Sequence, residues 1–102
     1  MLKELYGTSI IKYEEKEEIL EYYILNNNDE INLNDYNEIH CINTNKIGIY
    51  GIEIIKKGEN SEEKSFVSDL TVNKKFAEEI IKKVKDNMVT PIHLYDVLEN
   101  FL

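Results

Sequence analysis

The pair His40-Cys41 is the first place in this chain to look for chemistry. A cysteine nucleophile needs a base within hydrogen-bond reach and a third group to orient that base. Neighbours on an extended chain point to opposite sides, so His40 is badly placed to activate Cys41. No cysteine-protease signature surrounds Cys41, and a partly buried small apolar residue is its expected role. His93 and Asp96 stand three apart on an expected helix, where they could share an ion or a hydrogen bond. Zinc takes three or four ligands from Cys, His and carboxylates. Two histidines and one cysteine at wide spacing do not supply such a set.

The Asn-rich stretch fails as a calcium loop. Counting from Asn28, Glu30 and Asn32 fit, but the sixth position is Leu33 rather than glycine and the twelfth is Ile39 rather than glutamate. Glu14-Glu15 and Glu62-Glu63 are paired carboxylates in expected surface turns, where solvated charge outweighs acid–base catalysis as the reading. No phosphate-binding loop, GxGxxG or G-x-S-x-G occurs. The expectation is a non-catalytic chain with no cofactor and no metal.

The elements that would position these residues read as strands first and helices last. Alternating β-branched and aromatic residues predict strands over about 4–14, 18–25, 47–56 and 64–71. On the first, Tyr6, Thr8, Ile10 and Lys12 share one face and Leu5, Ile11 and Tyr13 the other. On the third, Tyr50, Ile52 and Ile54 share a face, and Gly48 and Gly51 mark a bulge or a close backbone approach. On the fourth, Phe66 and Leu70 are expected to face inward. Residues 26–46 hold eight asparagines, which favour turns, and read as a long loop.

The period then becomes helical. Helices are expected over about 74–88 and 91–101, capped by Asn73 and by Thr90 before Pro91. Phe76, Ala77, Ile80, Ile81, Val84 and Met88 form one apolar stripe. Glu78 with Lys82 and Glu79 with Lys83 are favourable pairs on the opposite side. The predicted class is α+β: a four-stranded antiparallel sheet, two hairpins joined by the Asn-rich loop, with two C-terminal helices packed on one face. The 102 residues make one expected domain.

Charge narrows the partners. Twenty acidic residues face twelve basic ones, giving a net charge of -8, and every basic residue is lysine. Without the planar fork of arginine, direct nucleic-acid binding is disfavoured. The same negative field disfavours anionic membranes. One cysteine excludes an internal disulfide and fits a reducing, cytoplasmic setting. No apolar leader or membrane-length apolar run is expected to target the chain elsewhere.

Seven tyrosines are the compositional feature left over. Tyrosine adds contact area at low entropic cost, which suits interfaces. The candidate interaction surface is Tyr22, Tyr50, His93, Tyr95 and Asp96. The leading expectation is a non-catalytic regulatory or adaptor domain that binds another protein or itself, a homodimer included. The alternative is an acidic inhibitor or nucleic-acid mimic, of phage origin, aimed at a basic nucleic-acid enzyme.

Two segments together carry a family resemblance: Tyr50-Gly51-Ile52-Glu53-Ile54 and, after Asp69-Leu70-Thr71, the run from Val89-Thr90-Pro91 through Phe101-Leu102. The chain resembles a family of small uncharacterised proteins of clostridia and related low-GC bacteria, known as a domain of unknown function. The resemblance reaches from about residue 18 to the end. It implies no activity and assigns no residue a role.

Overall fold

The computed structural model describes residues 2–26 and 49–101. Its order is β1 (Leu2–Tyr13), β2 (Lys16–Asn26), β3 (Tyr50–Lys57), β4 (Glu62–Thr71), α1 (Lys74–Asp86), a 3-10 turn (Pro91–His93) and α2 (Leu94–Phe101). The strands form one antiparallel sheet in the order β1-β2-β3-β4. The expected α+β architecture, a four-stranded antiparallel sheet with two C-terminal helices, is the one observed. The pair His40-Cys41, Gly48 and all of the Asn-rich stretch except Asn26 lie outside the described residues. No helix among the described residues is long and apolar enough to cross a membrane.

The core follows from the pleat. Leu20, Tyr22 and Ile24 of β2 lie beside Ile52 and Ile54 of β3 on one face. That face receives Ile80, Ile81 and Val84 of α1, then Val89, Leu94 and Leu98. Five apolar residues on two central strands thus meet a helical stripe whose spacing is i, i+1, i+4.

Two irregularities overrule plain alternation. In β1, Leu5 pairs with Tyr23 and Gly7 with Tyr22, so Tyr6 is a bulge residue. Beyond it the faces exchange: Leu5 shares the outer face with Thr8, Ile10 and Lys12, not with Ile11 and Tyr13. In β4, Ser68, Asp69 and Leu70 all stand opposite Gly51 alone. This lets Val67 and Leu70 both pack on the core, although a regular strand would send them to opposite faces. Phe66 therefore points outward and is half-exposed, a correction to the inward placement expected. Gly51 is where the chain comes closest to itself. A Cβ there would collide with the Val67 carbonyl and stand 2.7 Å from Ser68 Cα.

The helix ends differ from each other. Asn73 caps α1 as expected, its side chain accepting from the Phe76 amide at 3.1 Å. Lys82 bonds forward to Asp86 at 3.2 Å, in the less favourable order along the helix. After Asn87, Met88 adopts φ 51. Met88 N–H donates to the Lys85 carbonyl and Val89 N–H to the Val84 carbonyl. That is a Schellman ending with methionine where glycine is usual. Thr90 has the extended backbone of a cap but its side chain makes no capping bond, and Pro91 opens a 3-10 turn before α2.

Candidate docking surface

The five residues singled out from sequence do not converge. Tyr22 is 0% exposed, and its hydroxyl donates to the Val89 carbonyl at 3.1 Å. It is a core residue, so it leaves the candidate surface: its strand face is the one the helices cover. Burial pushes the Tyr22 phenol up to about 12, with the Ser9 side chain opposing that shift. Tyr50 lies on the same face, partly buried against the core. His93, Tyr95 and Asp96 are exposed at the 3-10 turn and the start of α2. His93 lines a groove of about 460 Å³ with Met88, Val89, Thr90 and Val97. Tyr95 reaches over β4, its hydroxyl donating to the Phe66 carbonyl at 2.9 Å. Among the described residues, no three of His, Cys, Asp and Glu converge as metal ligands would.

The surface that the helices leave uncovered is the other face of the sheet. Four strands contribute to one row across it: Leu5, Tyr23, Glu53 and Phe66. A second row carries Ile10, Ile19, Lys57 and Glu62. Leu5, Ile10, Ile19 and Phe66 are all exposed, while Leu25 and Ile55 of the same face are buried.

A polar network holds the centre of this face. Lys3 donates to Glu53 at 3.0 Å and sits 4.5 Å from the centre of the Tyr23 ring. Tyr23 donates to Glu21 at 2.9 Å, and Lys57 pairs with Glu21 at 3.1 Å. Two lysines thus balance two carboxylates around one phenol. The hydrogen bond to Glu53 holds the Lys3 ammonium above its ordinary value, against desolvation. Desolvation would raise the Glu21 carboxyl, but the Tyr23 hydroxyl and the Lys57 ammonium outweigh it and hold Glu21 low. Glu53 is only 8% exposed, and Lys3 offsets that burial by reaching across β2 from the edge strand. The network is a fixed, charge-neutral platform with apolar side chains on both flanks.

The exposed apolar residues concentrate on β1. Five of the eleven large ones among the described residues are Leu2, Leu5, Tyr6, Ile10 and Tyr13. The signal for this was present in the sequence, since Ile10 stands between Thr8 and Lys12 on a face that mixes polar and apolar groups. What strand alternation did not say is which face the helices would take.

A family model described as a family of unknown function (DUF6514) matches residues 1–102. The match takes in β1 as well as the C-terminal run, so it extends further than a resemblance beginning at about residue 18. No curated protein and no solved structure matches the chain.

Proposed function

We propose, for a chain that belongs to the DUF6514 family of unknown function, a non-catalytic protein-binding role of regulatory or adaptor type. One observation carries it. The outer sheet face and its β1 edge expose Leu5, Ile10, Ile19 and Phe66 around a neutral Lys3–Glu53–Tyr23–Glu21–Lys57 platform. Apolar side chains gathered on a face that water reaches mark an interaction site. Aromatic residues such as Tyr23 and Phe66 are enriched in interface cores, and the charges beside Tyr23 are already paired within the chain. The lone cysteine supports a cytoplasmic setting. The absence of arginine and the lean toward Ile, Asn and Lys support a low-GC bacterial host.

The test compares capture from native lysate by the wild-type chain, Leu5→Lys, Phe66→Lys and a control, Glu79→Lys, on the exposed side of α1. Loss of the same captured protein with both outer-face variants, and its retention by the control, is expected. Capture indifferent to all three substitutions would overturn the reading. The acidic-mimic reading draws less support. The two hairpin turns gather Glu14, Glu15, Glu17, Glu18, Glu59, Glu62 and Glu63, but Lys12, Lys56 and Lys57 are already paired among the strand carboxylates there.

A further inference from the structure

The geometry points to a second copy of this chain as the occupant of the β1 edge. The two β1 strands would run antiparallel about a two-fold axis at Ile10. This rests on the protein-binding reading and deepens it by naming the partner.

The two edges of the sheet are not alike. The β4 edge is guarded: the 3-10 turn packs on it, and the Tyr95 hydroxyl occupies the Phe66 carbonyl. The β1 edge has no strand beyond it among the described residues. It is 12 residues long, about 40 Å at strand rise. Unpaired amides and carbonyls along such an edge are a template for another strand. The Tyr6 bulge interrupts its first half but leaves Gly7–Tyr13 in continuous register with β2.

Charge separates the edges as well. β1 carries Lys3, Glu4 and Lys12, a net of +1. β4 carries Glu62, Glu63, Lys64 and Asp69, a net of -2. Two copies of a chain at -8 therefore approach along β1 with the least repulsion of the two edges. Pairing β1 to β4 of another copy meets the guarded edge and would propagate without closing, whereas a two-fold β1 pair closes on itself.

The register is self-complementary. An axis at Ile10 sets Gly7 opposite Tyr13, Thr8 opposite Lys12 and Ser9 opposite Ile11, and each pair shares a face. Ile10 is 54% exposed and already opposes Ile19, which is 43% exposed. The pairing makes one apolar row across four strands: Ile19 and Ile10 of one copy, then Ile10 and Ile19 of the other. Cross-strand β-branched neighbours of this kind are the stabilising unit of a sheet. In the flanking rows, Lys12 lies between its own Glu17 and the Thr8 and Glu21 of the other copy. The two four-stranded sheets become one of eight, within the ordinary range of sheet sizes.

Sedimentation velocity on the purified full chain tests this. The wild type is expected at twice 12.0 kDa. Ile10→Lys and Ile10→Glu each place like charges on the axis and are expected at the single-chain mass. An equimolar mixture of the two is expected to return to the doubled mass, which pairing elsewhere on the molecule would not produce. Both variants change an exposed side chain outside the core, and a far-UV circular dichroism spectrum like that of the wild type, lost in a cooperative melt, establishes that they fold. A wild type at single mass overturns the proposal, as does a doubled mass that ignores Ile10→Lys, or a mixture that stays single. A monomeric wild type that still captures a protein through Leu5 and Phe66 would sink self-pairing and leave the protein-binding reading standing.

Discussion

At Tyr22 a phenol sits in the core and donates to a carbonyl that is itself buried. Burial pushes the folded phenol up to about 12, against about 10 for an unfolded one. Above about pH 10 the unfolded chain loses this proton first, so folding stability falls as pH rises from about 10 toward 12 and is unaffected by this group below 10. The full loss is about 2–3 kcal/mol, an order-of-magnitude figure. Tyr22→Phe is expected to cost about 1–2 kcal/mol at neutral pH, because the Val89 carbonyl loses its donor. It is also expected to flatten the alkaline decline. Urea unfolding at pH 7 and at about pH 11 checks both halves. Equal alkaline slopes for the two proteins would assign that decline to other groups.

Helix ends and bulges set the element scale. Met88 holds a left-handed backbone that costs a non-glycine residue about 1–2 kcal/mol. Glycine gives some of this back through its freer unfolded state. Met88→Gly is therefore expected to stabilise the chain by about 0.5–1 kcal/mol, read as a rise in melting temperature. A fall would mean that the Met88 side chain contributes more through the adjoining groove than its backbone costs. Gly51 is the opposite case. Its Cβ would meet backbone, which cannot move aside as a side chain can. Gly51→Ala is expected to destabilise by about 2–3 kcal/mol or to undo the β4 bulge. Retention of wild-type stability together with the β3–β4 amide pattern in NMR would refute the close approach.

For the whole molecule the decisive quantity is charge against apolar contact. Two copies that each carry -8 repel at long range, while the proposed β1 contact is apolar and hydrogen-bonded. Added salt screens the first and leaves the second. Self-association is therefore expected to tighten between low salt and about 0.5 M sodium chloride. Binding to a basic enzyme would weaken over the same interval. Sedimentation across that salt range, first alone and then with a candidate basic partner, separates the two readings.

Much of the fold was legible because its local periods are strong. The alternation of Tyr50, Ile52 and Ile54, the helical stripe from Phe76 to Val84, and the Asn73 cap each express a preference of short chain segments and are found in place, while Met88, expected to close the stripe, lies beyond the helix end and is exposed. Two things were not legible. The bulge at Tyr6 shifts the pleat through its pairing with β2, so β1 alone does not announce it, whereas Gly51 marked its own close approach in the sequence. The choice of which sheet face the helices cover is likewise tertiary, and it decides the candidate surface: it buried Tyr22 and left Ile10, Ile19 and Phe66 outside. The sequence by itself determined an α+β chain, acidic and without arginine, that lacks a phosphate-binding loop, GxGxxG and G-x-S-x-G. Only the tertiary structure decided where its apolar surface remains, because exposure depends on what packs against a residue and not on the residue's own type.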